Sequence, residues 1–215
     1  MIKVLIADDH ELVREGLRHC LEAAGNIDVA GEAVDAHSTL ALVRSTPARV
    51  LVLDLSMPGR SGVDLVRQIH DEVPALRILV LTMHAEQQYA VRAFKAGASG
   101  YVTKESASAE LITAVVKVAG GGVYVSLAMA ERFAQSLNEP TDALPHQRLS
   151  DREYDVFRRI VSGQTITEIA HSLSVSSKTV STYKTRLLDK MSAPHEAALV
   201  RYAMRHQLFG DGDEI

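Results

Sequence analysis

Short β-branched runs alternate with longer stretches of helical period over residues 1 to 122. KVLIA precedes a helical period over 11 to 24, DVAGEA precedes 36 to 46, VLVLD precedes 61 to 72, ILVLT precedes 86 to 96, and GYVT precedes 107 to 119. Runs as uniformly apolar as VLVLD and ILVLT are buried on both faces, which a parallel sheet achieves when helices cover each side. The pattern predicts an α/β domain of five βα units: a five-stranded, doubly wound parallel sheet.

The pattern then changes. Residues 134 to 147, AQSLNEPTDALPHQ, hold two prolines, mixed polar residues and no sustained period, which is linker chemistry. Beyond them, SDRE at 150 to 153 and TITE at 165 to 168 both fit the Ser/Thr-x-x-Glu capping box, and Gly163 is placed to stop the helix begun at Ser150. A third helix follows Ser176 and a fourth begins near Pro194, which needs no amide donor in an opening turn. These boundaries give an α/β domain over 1–122, a linker over 123–147, and an all-α domain of four helices over 148–210. The Gly120 to Gly122 run reads as a helix terminator rather than a phosphate loop, because no Gly-Lys-Ser/Thr follows it.

Charge separates the halves. Residues 1 to 125 hold 12 Lys+Arg against 15 Asp+Glu, a balance of -3, whereas residues 145 to 209 hold 10 against 6, a balance of +4. An acidic and a basic half suggest separate tasks. The single cysteine, Cys20, excludes an internal disulfide and leaves a zinc site little to stand on. The opening MIKVLIA is too short an apolar stretch for a signal peptide, and no apolar run approaches the roughly 20 residues that span a bilayer. The expectation is a cytoplasmic protein with no membrane role.

In an open parallel sheet the functional crevice lies beyond the carboxyl ends of the strands. Here those ends carry Asp8 and Asp9 (strand one), Asp54 (strand three), Thr82 (strand four) and, two residues past strand five's Val102, Lys104. At about 5 Å and an effective dielectric near 20, each carboxylate pair repels by on the order of 3 kcal/mol, so a cation belongs among them. Mg2+ characteristically takes one or two carboxylates and leaves positions for a phosphate. An aspartyl phosphate is an established covalent intermediate, and Asp54, central on a rigid strand, is the best candidate for it. Asp8 or Asp9 alone reads equally well as a helix N-cap, Thr82 as a strand residue and Tyr101 as core. His10 is read as having no chemistry.

ADD at the end of strand one, LDLSMPGRSG around strand three, LT after strand four and YVTK around strand five resemble, in order and spacing, the motifs of the response-regulator receiver domain, a flavodoxin-like fold. The resemblance implies Asp54 as phosphoacceptor. It implies a Mg2+ ion held by Asp8, Asp9, Asp54 and the main-chain carbonyl of Ser56, with Asp9 a direct ligand. Thr82 and Lys104 then bind the phosphoryl group, and Tyr101 changes rotamer with Thr82. Glu105 departs from the pattern, since many receivers have proline after the lysine, which puts the usual cis peptide in doubt. Dehalogenase-type phosphatases also form a phosphoaspartate, but place an acid/base aspartate two residues after it, where this chain has Ser56. The pocket therefore reads as a switch and not as an enzyme for other substrates.

TEIAHSLSVSSKTVSTYKTRLLDKM, 167 to 191, has helix-turn-helix spacing. At 100° per residue Lys178, Ser181, Thr182, Thr185, Arg186 and Asp189 share one side, and Val180, Leu187 and Met191 the other. Residues 149 to 191 resemble the LuxR-type DNA-binding domain of NarL/FixJ response regulators. By that resemblance Ser181, Thr182 and Thr185 read bases, while Lys178, Thr179, Tyr183 and Arg186 are placed for phosphate contact. Ala198, Leu199, Tyr202 and Ala203 on the fourth helix are equally well core or dimer surface. Together the resemblances imply a transcriptional regulator, phosphorylated on Asp54 by a sensor histidine kinase or phosphotransfer protein and bound to double-stranded promoter DNA as a homodimer. RNA polymerase stays open as a further partner. The rival readings are a DNA-binding regulator that never uses phosphate and a phosphatase-like enzyme.

Overall fold

The apolar runs form β1 (Ile2–Ala7), β2 (Ile27–Ala33), β3 (Val50–Leu53), β4 (Arg77–Thr82) and β5 (Gly100–Thr103) in a computed structural model that describes residues 1–57, 62–83, 87–127, 129–131, 144–173 and 175–208. Between them run α1 (Glu11–Ala23), α2 (Ala36–Ser45), α3 (Gly62–Glu72), α4 (Gln87–Lys95) and α5 (Ala107–Ala119). All strand pairings are parallel, in the order β2-β1-β3-β4-β5 followed by a sixth, two-residue strand at the β5 edge. The chain leaves β1 toward β2 on one side and returns to β3 on the other. The switch point of the sheet therefore lies between the strands that deliver Asp8 and Asp54.

The sixth strand corrects the five-stranded expectation. β6 (Tyr124–Val125) pairs with β5, Tyr124 opposite Gly100 and Val125 opposite Tyr101, inside the stretch the sequence reading gives to the linker. Two residues are too few to carry a period of two. The glycine run makes the strand reachable: Gly121 at φ +90° ends α5 by letting the Gly122 amide donate to Lys117 O at 3.0 Å, and the chain returns beside β5. The Tyr124 hydroxyl then donates to Glu110 Oε2 at 2.9 Å, anchoring β6 against α5.

Alternation along the central strands explains their composition. Val4, Ile6, Val50, Val52, Leu79 and Leu81 pack against Leu17 and Leu21 of α1 and Leu111, Val115 and Val118 of α5. Leu5, Leu51, Leu53, Ile78 and Val80, of opposite parity, are as fully buried on the other face, which α2, α3 and α4 cover.

The chain divides into two compact units, Met1–Asn138 and Glu139–Ile215. Residues 132–143 of the expected linker lie outside the described residues, as do 209 and 210 of the expected helical domain. The second unit is helical: a 3-10 turn (Pro145–Arg148), then α6 (Asp151–Val161), α7 (Ile166–Ser172), α8 (Ser177–Lys190) and α9 (Glu196–Arg205). Both capping boxes form. The Ser150 amide donates to Glu153 Oε2 at 2.8 Å and the Thr165 amide to Glu168 Oε2 at 2.7 Å, with the reciprocal amide-to-hydroxyl bonds present. Gly163, at φ +85°, ends α6 as its position predicts. The last helix starts at Glu196 rather than at Pro194, with extended His195 as its N-cap residue. Leu199 and Ala203 are buried in the core, while Tyr202 lies half-buried with its hydroxyl 2.8 Å from His146 Nδ1. No helix among the described residues is long and apolar enough to cross a membrane.

Candidate functional site

β1 and β3 each end in a buried carboxylate, Asp8 at 1% and Asp54 at 2% exposure. The Lys104 ammonium, just beyond β5, reaches both: Nζ is 2.7 Å from Asp8 Oδ2 and 2.8 Å from Asp54 Oδ2. Backbone contacts hold the carboxylates still. The Ser56 amide donates to Asp54 Oδ1 at 3.0 Å, and the His10 amide donates to Asp8 Oδ1 at 2.9 Å. Arg14 of α1 donates through Nη1 to the Asp8 main-chain carbonyl at 2.9 Å, pinning the β1–α1 corner from behind. Gly62 lets the start of α3 press close to the loop that follows β3, because a Cβ there would lie 2.4 Å from the Leu55 carbonyl oxygen. Residues 58–61 of the LDLSMPGRSG stretch lie outside the described residues.

Burial pushes the Asp54 carboxyl above its usual range, against the pull of Lys104 and the Ser56 amide, and Asp8 adds to the push. For Lys104 burial works downward, but the carboxylates outweigh it and hold the ammonium above the usual lysine value. A carboxyl raised by folding binds its proton more tightly in the folded state. Its contribution to stability is thus fullest at low pH and is lost as pH rises through the folded value. Ionised Asp54 is a net burden at neutral pH. Asp54→Asn is expected to be more stable than the parent there, with the gain shrinking as pH falls and Asp54 protonates. Denaturant titrations at neutral and at acidic pH check this; a variant less stable at neutral pH would contradict it.

The pocket also suits a cation. Asp8, Asp9, His10 and Asp54 each offer a ligand atom, and these atoms lie within 4.8 Å of one another. Asp8 Oδ2 is fully buried and, apart from its ion pair with Lys104, lacks a well-directed hydrogen bond. An anionic oxygen in that position is better satisfied with a hard divalent ion beside it.

In the second unit α8 presents two faces. Val180, Leu187 and Met191 are buried against the other helices. Lys178, Ser181, Thr182, Thr185 and Arg186 are exposed, with Thr179 and Tyr183 half-buried beside them. Lys178, Thr179, Thr182, Tyr183 and Arg186, with Ser176, line an open depression. The hydroxyls of Ser181, Thr182 and Thr185 donate to the main-chain carbonyls of Ser177, Lys178 and Ser181 at 2.9, 3.0 and 3.1 Å. Their protons being so directed, they offer outward acceptor lone pairs and, on the threonines, methyl groups.

Two family models cover most of the sequence: the response regulator receiver domain matches residues 4–116, and the bacterial regulatory proteins of the luxR family match residues 147–203. The chain belongs to the NarL/FixJ response regulators. It is a DNA-binding transcriptional regulator with a receiver and a LuxR-type domain. It is 36% identical over 209 residues to the response regulator UvrY of Escherichia coli K12, covering 97% of this chain and 96% of that one. It also resembles RcsB from Salmonella enterica serovar Typhimurium, solved on promoter rprA with the phosphomimetic BeF3-. That match is at 30% identity and TM-score 0.70, over 94% of this chain and 97% of that one. A further RcsB structure, at 30% identity and TM-score 0.60 over 94% of this chain and 98% of that one, holds two dimers on two parallel DNAs.

Most pocket residues named from the response-regulator motifs converge. Asp8, Asp54 and Lys104 are in direct contact, Asp9 lies beside them, and Ser56 binds Asp54 through its amide. Thr82 is fully buried at the end of β4, where its carbonyl accepts from the Lys104 amide at 2.8 Å. Tyr101 is buried at 1% exposure on β5. Among the described residues of this response regulator no peptide bond is cis, so the Lys104–Glu105 bond is trans. The sequence reading gives His10 no chemistry; its ring Nδ1 lies 3.0 Å from Asp9 Oδ1 and 3.3 Å from Asp8 Oδ1.

Proposed function

We propose that a sensor histidine kinase or phosphotransfer protein donates a phosphoryl group to Asp54 and that the phosphorylated protein binds promoter DNA as a dimer through α8, in the cytoplasm where both partners are found. The observation that carries this is the Lys104 ammonium within 2.8 Å of two buried carboxylates at the switch point of the sheet. Phosphoryl transfer asks chiefly for positioning and charge stabilisation. An Asp54 oxygen forms a bond to phosphorus as the bond from phosphorus to the donor's imidazole nitrogen breaks. Lys104 and the Thr82 hydroxyl bind the oxygens of the transferred group, and Ser56 supplies no proton shuttle for turnover of other esters. Asp8, Asp9, Asp54 and the Ser56 carbonyl would hold Mg2+, which when bound neutralises charge on the phosphoryl oxygens.

Labelling with a small-molecule acyl phosphate, with and without Mg2+, tests the reading. Stable, near-stoichiometric, Mg2+-dependent labelling is expected. Sustained phosphate release would favour a phosphatase, and no labelling would favour a regulator that ignores phosphate. Asp9→Ala removes a direct ligand, so half-maximal labelling should need about tenfold more Mg2+ or beyond. An unchanged Mg2+ dependence would remove Asp9 from the metal site.

On DNA, Thr182→Ala and Thr185→Ala should alter sequence preference by about 1–3 kcal/mol at the base each reads. Lys178→Ala should weaken binding to every sequence and lower the salt slope by about one unit. Titrations of matched and mismatched duplexes over a range of salt separate the two effects. Intact binding in all three variants would mean that the wrong face of α8 has been assigned.

A further inference from the structure

The peptide that joins the two adjacent aspartates, Asp8 and Asp9, lies just past the end of the sheet. Up to that point the ladder holds the chain on both sides: the Ala7 carbonyl accepts from the Asp54 amide at 2.8 Å, and the Asp8 amide donates to the Ala33 carbonyl at 3.1 Å. The Asp8 carbonyl is the next group along. It accepts from Arg14 Nη1 at 2.9 Å, a side chain sent back from the first turn of α1. The guanidinium is itself braced, with Nε 3.4 Å from Glu32 Oε2 on β2, and Arg18 Nη1 lies 3.3 Å from the other oxygen of that carboxylate. At 13% side-chain exposure Arg14 is no solvated surface cation. A carbonyl tied to a fixed guanidinium sets the plane of its peptide, and with it ψ of Asp8 and φ of Asp9. Those two torsions decide where the Asp9 carboxylate points relative to Asp8.

We propose that Arg14, braced by Glu32, is a positioning residue for phosphoryl transfer to Asp54: it orients the Asp8–Asp9 peptide so that both carboxylates meet the Mg2+ of the pocket. The proposal rests on the reading of Asp54 as phosphoacceptor and of Asp8 and Asp9 as Mg2+ ligands. Arg14 acts through the main chain and not on the reacting atoms. Its loss is therefore felt as weaker Mg2+ binding, with the acceptor itself intact. Groups that orient the ligands of a metal site tune its affinity by about 10- to 100-fold.

Calorimetric titration of the full chain with Mg2+, without any phosphodonor, tests this alongside the Mg2+ dependence of labelling by an acyl phosphate. Arg14→Gln keeps an amide donor but cannot span Glu32 and the Asp8 carbonyl. It is expected to bind Mg2+ about tenfold more weakly and to need correspondingly more Mg2+ for half-maximal labelling, while reaching the parent's extent of labelling at saturating Mg2+. Glu32→Gln, which loosens the guanidinium without removing it, should shift both readouts the same way by about threefold. Arg44→Gln is the control. It breaks an ion pair of 2.8 Å with Glu72 at the C-terminal ends of α2 and α3, the opposite end of the sheet from the pocket, and should leave both readouts within about twofold. Parent-like Mg2+ affinity in Arg14→Gln, or a shift no larger than that of Arg44→Gln, overturns the proposal while leaving the phosphoacceptor reading standing. Should Arg14→Gln fail to fold, parent-like Mg2+ affinity in Glu32→Gln overturns it instead. If the parent protein takes no label and binds no Mg2+, the reading of the pocket fails first, and the role of Arg14 with it.

Discussion

Asp54→Asn is expected to accept no phosphoryl label from an acyl phosphate under conditions that label the parent protein near stoichiometrically. The amide keeps the shape of the carboxylate, and its oxygen can still accept from the Ser56 amide or Lys104, which now bind Asp54 at 3.0 and 2.8 Å. The fold should therefore survive. An amide cannot form the mixed anhydride, so the expected loss is complete rather than partial. Acid-stable, base-labile label on the parent and its absence from the variant is the readout. Retention of label at the parent level would shift the acceptor to another group, with buried Asp8, equally close to Lys104, the first to examine.

Phosphorylation, or beryllofluoride with Mg2+, is expected to move the protein from mostly monomer toward dimer and to tighten binding to a promoter with two half-sites about tenfold or more, a coupling of at least roughly 1.4 kcal/mol. On the proposed reading, one α8 offers few side chains for base contact, three short hydroxyl groups flanked by cations. Pairing two such domains raises affinity through effective concentration without any new base contact. The phosphoryl group brings about -1.5 to -2 units of charge, to which Lys104 and Thr82 can respond. Tyr101 lies in the same strand as the approach to Lys104, and β6 lies directly beside that strand, with Val125 opposite Tyr101. A shift in β5 is therefore felt by the segment through which the chain leaves the sheet.

The strands that form the sheet's centre were legible because burial on both faces demands runs of Val, Leu and Ile, as in Val50–Leu53. The helix starts at Ser150 and Thr165 were legible because capping boxes are local, each made within four residues. β6 was not, since its two residues gain strand geometry only by pairing with β5. The pocket's carboxylates and lysine could be read because strand ends converge in a parallel sheet whatever the loops do. The ring of His10 could not, because its direction depends on a hydrogen bond within the β1–α1 corner that no period or motif encodes. The burial of Leu199 and Ala203 likewise needed the packing of α9 on α6 to be known.

The central claim is that phosphate chemistry at Asp54 governs promoter binding. It is tested most directly by titrating one two-half-site promoter, at one salt concentration, with the parent protein and Asp54→Asn, each with and without an acyl phosphate and Mg2+. The account predicts about tenfold or greater tightening for the parent alone, with the variant fixed at the affinity of the untreated parent. Equal affinities in all four samples, or equal tightening of parent and variant, would contradict it.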